Sequence, residues 1–209
     1  MTASIIHIVA FTKTDKVIGI NNKLPFTLSD DLKRFSSLTQ DQLICMGFNT
    51  FKDIYDNHTK DKTKFLSGRK SVVVCHYNKD HHTSVEDLQK KYGTDTLNFI
   101  TEQELRTVLS SSDTPVIIIG GKKLYAEFEP TVVLATIVDT TINSITINSN
   151  SDTVLNSTSE DNTVATQNIV TYPHSLDDSL SFDLDGTLSC IDKVSGQTLS
   201  YTNKLFVLN

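Results

Sequence analysis

Val116-Ile117-Ile118-Ile119-Gly120-Gly121-Lys122-Lys123-Leu124-Tyr125 is an apolar run that stops on two glycines and resumes at helical spacing. Four consecutive apolar residues leave no side for water, so the run reads as a strand buried on both faces. Paired glycines then turn the backbone into a helix over 122–128. The same figure occurs upstream, where residues 43–46 form an apolar strand, Gly47 follows, and a helix starts near Asn49. Further strands are predicted over 5–11, 71–75, 98–100 and 132–138, with helices over 29–38, 85–91 and 102–110. Ser29 is placed to cap the first helix, with Asp30 and Asp31 in its first turn complementing the macrodipole. Buried strands alternating with helices predict an α/β fold, a central and mostly parallel sheet flanked by helices.

Beyond Asp139 the texture changes. Of the 29 residues 140–168, 18 are Ser, Thr or Asn, which bury little and offer side-chain hydrogen bonds that compete with regular structure. Residues 143–166 read as a loop or disordered excursion, with Ile142, Ile145 and Ile147 able to make a weak edge strand. Residues 180–184, 187–191 and 199–208 alternate with turn residues such as Gly186 and Gly196, a pattern of antiparallel strands. The expected organisation is a core over 1–139, a polar excursion over 140–168, and C-terminal strands over 169–209 that complete the core or are appended to it.

Net charge is −6, and all of it lies in the last 70 residues, since residues 1–139 hold 17 basic and 17 acidic side chains. No basic stripe rises above this background, so nucleic acid is not an expected partner; Lys60, Lys62 and Lys64 read as a solvated loop. Cys45, Cys75 and Cys190 lack zinc or redox-motif spacing, and the first two sit in apolar runs as small core residues. No metal is expected. The N-terminus lacks a signal-peptide pattern and no apolar run approaches bilayer length, so a cytoplasmic protein without membrane contact is expected.

Two features can carry chemistry. Asp31 precedes Phe35 by four residues, so the two share a helix face. A carboxylate beside Leu32 and Phe35 suits a cation-like heterocycle that donates paired N–H groups; an ordinary first-turn aspartate, as Asp30 reads, is the alternative. The corners at Gly120-Gly121 and at Gly47-Phe48-Asn49-Thr50 bring helix starts to the ends of core strands, where a diphosphate can meet N–H donors. Plain strand–helix turns are the alternative there.

Taken in order, Val17-Ile18-Gly19-Ile20-Asn21-Asn22-Lys23-Leu24-Pro25-Phe26, Asp31-Leu32-Lys33-Arg34-Phe35, Met46-Gly47-Phe48-Asn49-Thr50-Phe51, Gly68-Arg69-Lys70 and Ile119-Gly120-Gly121-Lys122-Lys123-Leu124-Tyr125 resemble the blocks of dihydrofolate reductases. The resemblance covers about residues 5–139; the C-terminal third shows none. It implies a dihydrofolate-reductase-like fold and an NADPH-dependent oxidoreductase of one-carbon metabolism, supplying tetrahydrofolate as a monomer or homodimer. Hydride would pass from C4 of the nicotinamide to C6 of the dihydropterin, and a proton would reach N5 through water.

The resemblance further implies residue roles. Asp31 would hold the pteridine and favour protonation of N5, oriented by Thr136, with Ala135 competing for that register. Leu24 and Phe26 belong to the loop expected to close over the nicotinamide. Val9, Ala10, Leu32, Phe35, Ile54 and Tyr125 would line the substrate, and Arg69 would fork onto the glutamyl carboxylate of folate. Ala10, Ile18, Gly19, the corner at Gly47, Phe48, Asn49 and Thr50, Cys75 and His76 would meet the cofactor. So would Ile119, Gly120, Gly121, Lys122, Lys123, Leu124 and Tyr125, with a cis peptide expected between the glycines. Departures stand at Phe26, where most of the family has Trp, at Phe48, where many bacterial members have Arg, and at His76, where Ser or Arg is usual. Lys123 and His76 are then the cations left for the 2′-phosphate. Two other readings stand beside this one: a related pterin or riboflavin-precursor reductase, and a binding or structural protein on the same fold. Asp31 and Arg69 together favour folate, because they would contact its two ends.

Overall fold

The computed structural model of the protein describes residues 3–75, 84–141, 168–177 and 180–208. Among these residues ten strands and five α-helices follow in the order β1 (Ile5–Thr12), β2 (Val17–Ile20), α1 (Ser29–Thr39), β3 (Leu43–Gly47), α2 (Phe48–Asp53), β4 (Lys70–Cys75), α3 (Val85–Tyr92) and β5 (Leu97–Thr101). After these come α4 (Glu102–Ser111), β6 (Val116–Ile118), α5 (Lys122–Glu127), β7 (Val132–Val138), β8 (Ile169–Thr171), β9 (Ser181–Ile191) and β10 (Thr198–Val207). Eight strands form one sheet in the order β5-β4-β3-β6-β1-β7-β10-β9, and β2 pairs with β8 in a separate two-stranded sheet. The pairings from β5 through β7 are parallel, while β10 and β9 run antiparallel. This is the mixed α/β architecture expected from the apolar runs.

Alternation along each central strand explains those runs. Ile44 and Met46 face one core with Val73 and Ile117, packed under Phe51 of α2 and Leu88 of α3. Their neighbours Cys45, Val74, Val116 and Ile118 face a second core with Leu105 of α4 and Leu124 of α5. Each strand therefore buries both sides, and no alternating polar set survives in the sequence. All three cysteines are free, and burial pushes the Cys45 thiol up to about 12 and Cys75 to about 11.

Three local expectations are corrected. Ser29 is the first residue of α1 and makes no cap bond; the N-cap position falls to Leu28. The chain entering the helix is held from across the fold instead, because Thr27 N–H donates to Asp192 Oδ1 at 2.7 Å and Lys193 N–H to the Thr27 carbonyl at 3.0 Å. Gly186 does not separate two strands: β9 runs unbroken from Ser181 to Ile191 with Gly186 at φ 69°. The register with β10 shifts at that glycine: between the pairs Thr202–Thr187 and Lys204–Asp183, residues 184–186 of β9 stand against Asn203 alone, so the bulge belongs to β9. The third concerns Val17–Ile20, for which no strand is predicted: it forms β2 and pairs with β8. The excursion at 143–166, the weak strand at Ile142, Ile145 and Ile147, and His76 lie outside the described residues.

Candidate active site

Thr136 of β7 stands in register between Ala10 of β1 and Asn203 of β10, toward the C-terminal ends of the two parallel strands. Helix α1 crosses this row and sets Asp31 over it. Thr136 Oγ1 lies 2.5 Å from Asp31 Oδ1. Ala135 points to the opposite face, into the core, so Thr136 is the residue that meets Asp31. Burial pushes the Asp31 carboxyl above its ordinary range, against the Thr136 hydrogen bond and the Arg34 charge, which pull it down. The carboxyl thus stands in a desolvated crevice with one hydroxyl fixed on one oxygen.

The two glycine corners, at the ends of the neighbouring strands β3 and β6, meet each other. Gly47 N–H donates to the Gly120 carbonyl at 2.9 Å, and the Gly120-Gly121 peptide is cis, as the resemblance implied. Gly120 has φ 150°, and a Cβ there would come 2.8 Å from Thr50 Oγ1. Only glycine fits this approach. Neither α2 nor α5 has a side-chain cap at its start, so no side chain competes for the first-turn N–H groups. After β2, Asn21 and Asn22 at φ 50° and 63° turn the chain between Ile20 and Lys23, whose backbones exchange hydrogen bonds of 2.9 and 3.0 Å.

Other expected residues distribute unevenly. Phe35 and Ile54 are half-buried against the core beneath the crevice, while Leu32 is 41% and Leu24 46% exposed. Phe26 is buried with Leu28, Val138 and Tyr201 rather than open to a ligand. Phe48 packs on Phe51 at 5.8 Å between centroids, and Val9 and Cys75 belong to the cores. Tyr125 is buried, its hydroxyl donating to the Ile8 carbonyl at 2.8 Å. Ile18 and Gly19 lie in β2, which leads into the turn at Asn21 and Asn22, and Asn49, Ile119 and Lys122 lie at the two corners.

Arg69 requires a correction. Its Nε donates to Thr39 Oγ1 at 2.7 Å, Nη1 to the Ser67 carbonyl at 2.9 Å, and Nη2 to Ser36 carbonyl and Oγ at 2.9 Å. The residue is 8% exposed. Its fork is turned onto the last turn of α1, where carbonyls lack helical partners, and is not open for a bidentate carboxylate.

Three residues that sequence reasoning passed over belong to the site. Arg34, three residues after Asp31, sends Nη1 to Thr136 Oγ1 at 3.3 Å. Asn203 Oδ1 lies 3.0 Å from the same hydroxyl, and its Nδ2 donates to Asp185 Oδ2 at 2.9 Å. Helical spacing from Asp31 would have flagged Arg34, and Asn203 is a buried polar residue in an otherwise packed strand. No three metal-ligating side chains come together among the described residues, and no helix among them is long and apolar enough to cross a membrane.

A mostly parallel sheet with two glycine corners and a desolvated carboxyl at its strand ends defines an α/β protein with a ligand crevice at the usual place. A family model described as dihydrofolate reductase matches residues 4–177. The dihydrofolate reductase of Buchnera aphidicola subsp. Schizaphis graminum is 31% identical over 122 residues, which is 58% of this chain and 63% of that protein. Dihydrofolate reductase type 9 of Escherichia coli is 30% identical over 129 residues, 59% and 62% of the two chains. The matched part thus spans less than two thirds of these relatives. The structure of dihydrofolate reductase from Enterococcus faecalis, complexed with NADP(H) and RAB-propyl, shares the fold at a TM-score of 0.56 over 100% of both chains, at 16% identity. The chain belongs to the dihydrofolate reductase family.

Proposed function

We propose that the protein reduces 7,8-dihydrofolate to tetrahydrofolate with NADPH. The observation that carries this reading is the Asp31–Thr136 pair, a desolvated carboxyl held at 2.5 Å over the sheet whose strands β3 and β6 end in the joined glycine corners. Asp31 would receive the paired N–H donors of the pterin, and its negative charge would favour the N5-protonated form. Thr136 holds one carboxyl oxygen so that the other faces the ring. Phe35 and Ile54 supply the apolar wall against which a flat heterocycle packs.

The corners fit a dinucleotide. At Gly120 a side chain is excluded, and the starts of α2 and α5 present N–H groups without side-chain caps. Gly47, Asn49, Thr50 and Gly121 would hold the diphosphate, with Lys122 and Lys123 nearby as cations. Bound NADPH would supply the hydride. The turn at Asn21 and Asn22 would cover the reacting rings and exclude water, with Leu24 the exposed apolar residue placed to touch them. Arg69 would meet the glutamyl carboxylate through the Nη1 edge that its Ser67 bond leaves over, a single charge-assisted bond. A cytoplasmic setting accords with three unpaired thiols.

The test is the fall of NADPH absorbance on adding dihydrofolate, repeated with NADH. Turnover with dihydrofolate and a preference for NADPH are expected. NADPH binding without any reduction of dihydrofolate would overturn the reading.

A further inference from the structure

Arg34 lies one turn from Asp31 on the same face of α1. Its Nη1 donates to Thr136 Oγ1, the oxygen that Asp31 and Asn203 also approach. Its Nη2 is buried and has no hydrogen-bond partner among the described residues. A hydroxyl carries one proton. With Arg34 donating to a lone pair of Thr136, that proton goes to either Asp31 or Asn203. The Asp31 contact is the shorter, 2.5 against 3.0 Å, and a carboxylate is the stronger acceptor.

Charge points the same way. Arg34 feels Asp31 and also Asp185 of β9, each of which favours its proton, although burial acts more strongly in the opposite sense. Asp185 in turn accepts from Asn203 Nδ2, whose Oδ1 is the acceptor that competes with Asp31 for the Thr136 proton. The other titratable groups around this cluster are Asp30, already paired with Lys33 on α1, Cys190 of β9 and Tyr201 of β10. A guanidinium keeps its proton in proteins, so a fixed positive charge stands between two carboxyl groups.

We infer that Arg34 is a positioning residue for the proposed reduction: its guanidinium aims the Thr136 hydroxyl at Asp31 and holds Asp31 ionised, in competition with Asp185. The consequence for turnover rests on the reductase reading; the consequence for the Asp31 carboxyl does not.

The experiment is a carbon NMR titration of the full-length protein labelled at aspartate carboxyls, with the Asp31 signal assigned by its loss in Asp31→Asn. Arg34→Gln keeps an N–H donor for Thr136 and removes the charge, so the Asp31 midpoint should rise by about 1–2 pH units. Arg34→Lys should leave it within a few tenths of a unit of its original place, roughly. Asp185→Asn, an exposed substitution, should lower it by freeing Arg34 for Asp31 alone. The acid limb of single-turnover hydride transfer should move in the same directions. Identical midpoints in the original protein, Arg34→Gln and Asp185→Asn overturn the inference. Should Arg34→Gln not fold, an unmoved midpoint in Asp185→Asn overturns it alone. A protein that shows the midpoint shifts yet never oxidises NADPH with dihydrofolate keeps the Arg34–Asp31 coupling and sinks the reductase reading.

Discussion

Thr136 and Asp31, 105 residues apart in the chain, meet at 2.5 Å because β7 lies beside β1 and α1 crosses both. Removing the hydroxyl while keeping the shape isolates that bond. Thr136→Val should raise the Asp31 midpoint, since burial would then act on a carboxyl with one hydrogen bond fewer. A lost bond to a charged group is worth about 1.5–3 kcal/mol, or on the order of one to two pH units. Hydride transfer measured against pH should show its acid limb displaced upward; an unmoved limb would mean that Thr136 does not act on the reacting carboxyl.

At the glycine corner the constraint is steric. Gly120→Ala would set a Cβ 2.8 Å from Thr50 Oγ1 and 3.0 Å from its Cγ2, at φ 150°. The variant should melt lower and bind NADPH weakly. Thr50→Ala in the same chain should return part of the loss, with a coupling of about 0.5–3 kcal/mol in the double-mutant cycle. Strictly additive losses would place the clash elsewhere.

How much of this was visible beforehand depends on which residues carry it. The apolar runs at 43–46, 71–75 and 116–119 announce a doubly covered sheet because both faces are filled, and helix spacing puts Asp31 with Phe35. What sequence could not display is pairing across long separations. Ser29 has the chemistry of a cap, but the Asp192 contact from the far hairpin sets the helix entry. Gly186 has the chemistry of a turn, but pairing with β10 draws it into a strand. Arg69 reads as free for a carboxylate because its inward partners, Ser36, Thr39 and Ser67, have no special spacing. His7 hides as one polar residue in an apolar strand until Tyr172 arrives from the chain beyond β8.

His7 Nδ1 and the Tyr172 hydroxyl are 2.8 Å apart, and the imidazole is fully buried. Burial first, and then the neighbouring His174, lower its pKa from 6.5 to about 3. A histidine depressed in the folded state is protonated more readily when unfolded. Its contribution is therefore complete above about pH 6.5 and is lost as pH falls toward 3, at up to about 1.4 kcal/mol per pH unit. Chemical denaturation at pH 7, 5.5 and 4 should show a steeper decline in the original protein than in His7→Asn. Equal slopes would exclude His7 as a source of acid sensitivity.

Asp192 works in the reverse sense. It is 2% exposed and accepts from Thr27 N–H, Ser195 N–H and Ser195 Oγ at 2.7, 2.9 and 2.6 Å. Burial pushes its carboxyl up, but the bonds from Ser195, Thr27 and Val194 together hold it below the ordinary range. Its stabilisation is present above the unfolded value near 4 and disappears as pH falls through the lowered one. Asp192→Ala should cost about 2–4 kcal/mol at pH 7, because it orphans buried N–H groups where α1 begins. A loss under about 0.5 kcal/mol, the scale of ordinary surface substitutions, would show that α1 does not depend on this tether.

Asp30 and Asp31 are neighbours that face about 100° apart on α1. Asp30 is exposed and bonds Lys33 at 2.9 Å, a contact that lowers its pKa. Asp31 reaches Thr136 in the crevice. If the carboxylate at Asp31 anchors the pterin and favours N5 protonation, Asp31→Asn should slow hydride transfer by about 10²–10⁴-fold at neutral pH. That deficit should shrink toward acid, since solvent can then protonate N5 without the carboxylate. NADPH affinity should hold in both variants, because the glycine corners are untouched. Asp30→Asn should leave the rate within roughly twofold, the scale of an exposed ion pair. Single-turnover rates for both variants across acid to mildly alkaline pH make the comparison. Equal, small effects would reduce Asp31 to a first-turn aspartate, and a large effect of Asp31→Asn that did not vary with pH would assign it to binding alone.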